Sequence, residues 1–119
     1  MTKPAPSLDE LRAGLRAFAA ARDWEQFHTP KNLAMALSVE AAELLEHFQW
    51  LTAEQSTRLD ARTRRAVADE LADVLLYLTR LADVLGIDLV AAGRRKLRLN
   101  ARKYPVAKAR GNARKYTEL

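Results

Sequence analysis

Two segments of the sequence each carry a pair of acidic residues at the same spacing. Glu40 and Glu43 form the first pair, and Glu70 and Asp73 form the second. In a helix, residues three apart lie on one side, with their Cβ atoms about 5–6 Å apart. The repeated spacing therefore predicts two carboxylate pairs, each on one face of its own helix.

The first acid of each pair falls inside an apolar stripe of its helix. Helical spacing puts Glu40 among leucines and puts Glu70 among Val67, Val74 and Leu81. A buried charge is costly unless something compensates it. Neither segment offers a basic neighbour, so a bound cation is the better explanation. Because all the ligands are carboxylates, we expect a hard ion, Mg²⁺, with Mn²⁺ as a possible substitute.

Magnesium commonly takes its remaining ligands from water and phosphate oxygens, so the pattern predicts a polyphosphate site with an activated water. A di-iron bundle requires Glu-x-x-His on two helices. Here Glu46 follows Glu43 at that spacing and Asp73 follows Glu70, which argues against iron. A single acidic pair is usually a solvated helix face, whereas two pairs set in apolar stripes favour a site. A glycine-rich phosphate loop is missing from the sequence.

The composition predicts that helices hold these acids in position. Of 119 residues, 22 are alanine and 19 are leucine, whereas Val, Ile and Thr together number 14. These preferences predict an all-α fold, a four-helix bundle with a basic C-terminal tail. The length suits one domain over residues 1–119, with a core over about 8–104 and a tail over 105–119.

Capping residues predict where the four helices begin and end. Ser7 begins the first helix, Thr29 and Pro30 begin a second that runs to about residue 51, and residues 52–61 form a polar connection. A third helix is predicted from about residue 62 to residue 85, before Gly86. Asp88 caps a fourth that ends before Tyr104 and Pro105. Residues 106–119 are expected to be disordered or held by a partner subunit.

Charge is distributed unevenly along the chain. Residues 94–119 hold ten Lys and Arg and one acid, a net charge of +9, whereas residues 1–93 carry −4. A basic segment beside an acidic body suits phosphate-bearing partners. The absence of cysteine excludes disulfides, zinc–thiolate sites and thiol nucleophiles. Neither a signal peptide nor an apolar run long enough to span a membrane is found, so we expect a cytoplasmic protein with no membrane contact.

Taken in order, the motifs resemble those of the MazG-like all-α nucleoside triphosphate pyrophosphohydrolases. The two acidic pairs match the family signature, and the flanking segments resemble its dCTP pyrophosphatase branch. These segments are 22–28 (RDWEQFH), 30–33 (PKNL), 48–50 (FQW), 73–78 (DVLLYL), 100–105 (NARKYP) and 113–119 (ARKYTEL). The resemblance covers about residues 8 to 119.

The resemblance implies an enzyme that cleaves a nucleoside triphosphate, above all dCTP or a modified dCTP, to the monophosphate and pyrophosphate in nucleotide-pool sanitation. It implies that the four acids coordinate Mg²⁺ and act in catalysis, and that the protein is a homotetramer. The positions that would line the nucleotide pocket are Trp24, His28, Trp50, Tyr77 and Asn100. Helical spacing also sets Trp50 beside the carboxylate edge of its helix.

Basic residues and two rival interpretations complete the sequence-based predictions. Lys31, Arg102 and Lys103, with Arg114 and Lys115, are candidates to neutralise the triphosphate. One rival is a helical nucleic-acid-binding module that uses the basic C-terminus, but the acidic body and the lack of a binding motif argue against it. The other is a helical scaffold that only oligomerises.

Overall fold

The computed structural model describes residues 6–119, and within them the fold is all-α, as predicted. Four helices are long and two are single turns, with one 3₁₀ turn in the connection between the first two helices and another at the end of the chain. The helices are α1 (Leu8–Ala21), α2 (Pro30–Glu46), α3 (Ala53–Ser56), α4 (Ala61–Val84), α5 (Leu89–Lys103) and α6 (Val106–Ala109), and the 3₁₀ turns span Glu25–Phe27 and Tyr116–Glu118.

Side-chain caps begin all four long helices, three of them at the predicted residues Ser7, Thr29 and Asp88. The Ser7 hydroxyl accepts a hydrogen bond from the Glu10 N–H, and the Thr29 hydroxyl accepts one from the Asn32 N–H, both at 3.2 Å. Asp60 and Asp88 cap α4 and α5 in the same way. Each cap satisfies one of the N–H groups that the first turn of a helix leaves unpaired.

The predicted end of the second helix is wrong by five residues. α2 ends at Glu46, and a tight series of turns follows, in which the Phe48 N–H donates to the Leu45 carbonyl and the Leu51 N–H to the Phe48 carbonyl, both at 2.9 Å. The predicted polar connection also contains the short helix α3. Thr52 caps it with a full capping box to Gln55. Because Thr52 is extended at that cap, α2 cannot continue through it.

The conformation of residues 106–119 also differs from one of the two expectations, which was disorder. Residues 106–119 contain α6 and a 3₁₀ turn, and Tyr116 of that turn packs edge to face against Tyr104, which follows α5, with 6.0 Å between ring centroids. The structure therefore describes this segment as short helical turns and not as the disordered tail that was one of the two expectations. Whether a partner subunit holds it stays a prediction.

α4 is the central helix of the first compact unit, which spans Met1–Gly86. It packs most extensively against α2 and also packs against α1. Leu33 on α2 is only 2% exposed, and the small side chains of Ala19 and Ala82 are buried on α1 and α4. The α2–α4 pair is the frame that carries all four predicted acids.

The chain divides into two compact units, and Ile87–Leu119 forms the second. That unit contains α5, α6 and the final 3₁₀ turn. The assignment of all 119 residues to one domain stays a prediction. Among the described residues, every helix is too short or too polar to cross a membrane. The predicted compartment stays a prediction.

Candidate functional site

The packing of α2 against α4 brings three of the four predicted acids together. One carboxylate oxygen from each of Glu40, Glu43 and Glu70 lies within 4.8 Å of the other two, and all three residues are half-buried. Glu40 and Glu43 come from one turn of α2, and Glu70 faces them from α4. The equal spacing seen in the sequence thus becomes a single cluster across a helix pair.

The cluster lacks internal compensation for its negative charge. The Oε2 atoms of Glu40 and Glu70 are buried and have no hydrogen-bond partner in the described protein. Burial, then the interaction with the Glu43 carboxylate, then repulsion from Asp73 and Glu70 raise the pKa of Glu40 to about 7. The Nε2 atom of His47 lies 3.9 Å from Glu70, which is too far for a hydrogen bond.

These residues fit a hard divalent cation. The donors are oxygen atoms from carboxylates, the set that Mg²⁺ and Mn²⁺ prefer. Two of the oxygens are buried without a partner, and a cation would satisfy both their lone pairs and their charge. The three glutamates could therefore hold a hard divalent cation between α2 and α4.

Asp73 connects the acidic cluster to an apolar cavity. Its charge acts on Glu40, yet the group of atoms within 4.8 Å consists of the three glutamates without it. Asp73 also lines a cavity of about 260 Å³, together with Leu15, Phe18, Trp24, His28, Leu33, Leu76, Tyr77 and Arg80. A largely apolar cavity thus begins beside the acids, with three predicted pocket residues, Trp24, His28 and Tyr77, in its wall.

The wall of the cavity is built by the connection between α1 and α2. Trp24 packs edge to face against Phe18 at 5.7 Å and against His28 at 6.3 Å between ring centroids. The 3₁₀ turn Glu25–Phe27 lies between Trp24 and His28, and the Asn32 side chain donates to the Phe27 carbonyl at 3.0 Å. These contacts fix the two rings beside the cavity.

Trp50 and Lys31 lie away from the cavity lining. Trp50 stands in the turns after α2 and is 87% exposed, and its place beside the carboxylate edge stays a prediction. Helical spacing does not apply there, because α2 has already ended. Lys31 is exposed in the first turn of α2.

Asn100, Arg102 and Lys103 belong to the second unit. They lie in the last turn of α5, where Asn100 is half-buried and the two basic residues are exposed. Lys103 lies over the Tyr116 ring at 4.8 Å. Their contribution to a nucleotide site stays a prediction.

Sequence reasoning missed Phe18 and Arg80 as cavity residues. Arg80 is only 9% exposed, and its Nε–H donates to Nδ1 of His28 at 3.1 Å. The signal was available, because Arg80 follows Asp73 and Tyr77 at helical spacing within an otherwise apolar stretch. A buried arginine requires partners. Asp83 lies one turn away on the same helix, whereas His28 lies 52 residues away in the sequence.

Comparison with known proteins decides the family. The sequence model of the MazG-like family matches residues 35–119. The chain belongs to the MazG-like family. This MazG-like chain is 47% identical to dCTP pyrophosphatase 1 from Homo sapiens over 118 residues, which cover 98% of the chain and 69% of the relative. It is 46% identical to dCTP pyrophosphatase 1 from Bos taurus, with 96% and 69% covered.

A solved structure gives the same result for the fold. A pyrophosphatase from Archaeoglobus fulgidus aligns with a TM-score of 0.79 and 42% identity, covering 88% of this MazG-like chain and 98% of the other. The predicted resemblance, the all-α MazG-like fold and the assignment as a hydrolase of the diphosphatase class are confirmed.

Proposed function

We propose that this chain is a Mg²⁺-dependent nucleoside triphosphate pyrophosphohydrolase. It would cleave a deoxynucleoside triphosphate, with dCTP or a modified dCTP preferred, to the monophosphate and pyrophosphate in nucleotide-pool sanitation. One observation carries the proposal: Asp73 belongs both to the surroundings of the acidic cluster and to the wall of an aromatic cavity. A site for phosphates and a site for a base would then adjoin at a single residue.

Glu40, Glu43, Glu70 and Asp73 would hold Mg²⁺. When bound, the ion polarises a phosphate oxygen and lowers the pKa of the attacking water. A carboxylate of the cluster would accept a proton from the attacking water while the oxygen of that water attacks the α-phosphorus. The bond between the α-phosphorus and the bridging oxygen then breaks, and pyrophosphate leaves.

The cavity would receive the base. Its volume of about 260 Å³ lies just below the roughly 300–1,000 Å³ of pockets that enclose a whole drug-sized ligand, which suits one part of a nucleotide. Trp24 and Tyr77 offer aromatic surfaces for the base. We propose that Trp50 and Asn100 also bind the nucleotide, and that Lys31, Arg102 and Lys103 neutralise the remaining triphosphate charge.

We also propose that the protein is a homo-oligomer, a tetramer as the family resemblance implies. Many large apolar side chains of the described residues are exposed, among them Met35 and Val39 on α2 and Leu71 and Leu75 on α4. Each pair is spaced four residues apart and so lies along one side of its helix. A second copy of the chain is the occupant that symmetric assembly supplies for such faces.

The proposed activity is tested by incubating the protein with each deoxynucleoside triphosphate and Mg²⁺ and identifying the products by chromatography. We expect monophosphate and pyrophosphate, with dCTP or a modified dCTP as the best substrate. Release of orthophosphate would contradict the proposed bond cleavage.

Replacing an acid of the cluster tests the metal assignment. Glu40→Gln should lower kcat by roughly 10³-fold or more, because a bound metal ion supplies several kcal/mol of transition-state stabilisation. Glu54→Gln, at an exposed glutamate of α3, is the matched control and should retain activity. Full activity in Glu40→Gln would refute the assignment.

A further inference from the structure

A continuous chain of polar contacts runs from α1 through α4 to His28. The Arg16 guanidinium donates from Nε and Nη2 to the two oxygens of Asp83, at 2.7 and 2.5 Å. The other side of Asp83 faces Arg80, whose Nη1 lies 3.5 Å from Oδ2. Arg80 in turn donates from Nε to Nδ1 of His28 at 3.1 Å. The His28 ring is therefore held at Nδ1 by a series of groups that fix one another.

Arg80 is an unusual residue to find in this position. Its side chain is 10% exposed, and the Asp83 side chain is 8% exposed. A buried guanidinium is tolerated only when its charge is paired and its donors are satisfied. Asp83 pairs the charge from one side, which leaves the Nε–H free to bind the imidazole. The planar fork of arginine can hold both partners at once, which an ammonium group on a flexible stem cannot do in fixed geometry.

This contact determines where the proton of His28 lies. Since Nδ1 accepts from Arg80, it carries no hydrogen, and a neutral ring then carries its hydrogen on Nε2. Protonation of Nδ1 would set its N–H against the Arg80 N–H with no acceptor between them. Burial and the Arg80 charge lower the pKa of His28, against a smaller opposite effect of Glu25. These effects favour the neutral ring.

We propose that Arg80 is a positioning residue that fixes His28 as a neutral hydrogen-bond donor through Nε2, which reads an acceptor atom on the base in the adjoining cavity. The proposal deepens the proposed function and rests on it for the identity of the ligand. The pyrimidine edge of cytosine carries acceptors at O2 and N3, which are the kind of atom that an Nε2–H donor recognises. Arg80 and His28 both line the cavity, so the support and the donor belong to the same wall.

The protonation pattern can be measured without substrate. We would record two-bond ¹H–¹⁵N correlation spectra of the ¹⁵N-histidine-labelled protein at neutral pH and identify His28 by the signals lost in His28→Gln. We expect an unprotonated Nδ1 and a protonated Nε2. A proton on Nδ1, or a rapid mixture of both forms, in the unmodified protein would overturn the proposal. This measurement depends on no variant that disturbs the fold.

Steady-state kinetics test the consequence for substrate. Arg80→Met removes the guanidinium at similar length, while Arg16 still pairs Asp83. We expect KM for dCTP to rise about tenfold, the factor that one hydrogen bond of ordinary strength supplies, with kcat little changed. His28 should then lose its single protonation pattern in the spectrum. Arg65→Met, at an exposed arginine of the same helix, should change neither quantity.

The outcomes separate this inference from the proposed function. A purely structural role for Arg80 predicts a smaller active fraction, which lowers kcat and leaves KM and the His28 spectrum unchanged in the folded protein; that result would overturn the inference. If the unmodified protein hydrolyses no nucleoside triphosphate, the proposed function fails, and the spectra alone decide whether Arg80 fixes His28.

Discussion

Two acidic residues of α4, Asp83 and Glu70, differ in whether the protein compensates their charge. Asp83 receives hydrogen bonds from Arg16 and lies beside Arg80, so its charge is compensated within the protein. Glu70 has a buried oxygen with no partner and faces two further glutamates. Both side chains are largely buried on the same helix. Compensation of the charge is therefore what distinguishes a structural acid from a ligand-binding one.

Metal addition should therefore stabilise the protein through the glutamate cluster. Mg²⁺ at about ten times its Kd adds about 1.4 kcal/mol to the free energy of unfolding, a rise in Tm of roughly 5 °C for a chain of this size. Thermal unfolding followed by circular dichroism, with and without EDTA, measures it. Glu40→Gln should remove the response and should raise the Tm of the metal-free protein, because one repelling charge is gone. An unchanged Mg²⁺ response in this variant would contradict the cluster as the binding site.

Asp83 should contribute stability that depends on pH. Hydrogen bonding from Arg16, and then the charges of Arg16, Arg80 and Arg12, outweigh burial and lower the pKa of Asp83 from its ordinary value of 3.8. The contribution is thus complete above about pH 3.8 and is lost as pH falls through the lower pKa of the folded state.

Asp83→Asn should accordingly cost on the order of 2 kcal/mol at pH 7, and the cost should shrink as the pH falls below 4. Urea unfolding of both proteins at several pH values gives the difference. Asp69→Asn, at an exposed aspartate of the same helix, serves as the control and should show little effect at pH 7. A cost for Asp83→Asn that does not change with pH would contradict the ionic origin.

At the scale of elements, the length of α4 organises the site. Glu70, Asp73, Tyr77, Arg80 and Asp83 follow one another at intervals of three or four residues, so they form a stripe that winds partly around the helix. The stripe runs from the acidic cluster through the cavity to the ion pair with α1. A continuous helix is needed to keep these groups in register. That helix ends only after Asp83, at Leu85 and Gly86.

Gly86 should be required at the end of α4 because of its backbone conformation and not because a side chain would lack space. Its φ of +68° lies in the left-handed region, and a Cβ there would meet nothing within 4 Å. Gly86→Ala should therefore cost about 1 kcal/mol of unfolding free energy. Gly14→Ala, in the interior of α1 and also in open space, should instead stabilise the protein by about 0.5–1 kcal/mol. Denaturant unfolding measures both, and equal signs would contradict this explanation.

At the scale of the whole molecule, the single chain buries little apolar surface. Ala19, Leu33, Val67 and Ala82 are its buried hydrophobic residues among those described, whereas large apolar side chains such as Met35 and Val39 stay exposed. A protein of this length normally buries roughly two-thirds of its unfolded surface and so encloses a larger core. The proposed assembly of several copies would complete that core.

Size-exclusion chromatography with light scattering should thus give a mass near four times 13.4 kDa. Val39→Lys introduces a charge on the exposed apolar face of α2 and should shift the mass towards smaller species. Thr57→Lys, at an exposed polar residue after α3, should leave the mass unchanged. A monomer for the unmodified protein would contradict the proposed assembly.

The sequence by itself determined the helices and the identity of the acids. Capping residues such as Thr29 and Asp88 act within one turn, and residues three or four apart share a helix face whatever the rest of the chain does. The end of α2 at Glu46 was beyond reach, because residues 47–51 contain no glycine or proline that would mark the end of a helix.

Only the tertiary structure decided what lies across the helix pair. It brought Glu70 to Glu40 and Glu43, joined Arg80 to His28 over 52 residues of sequence, and left Trp50 outside α2. Each of these results depends on packing between segments that are distant along the chain. Periodicity reports which side of a helix a residue occupies, whereas the neighbour that meets that side is set by the packing of the helices.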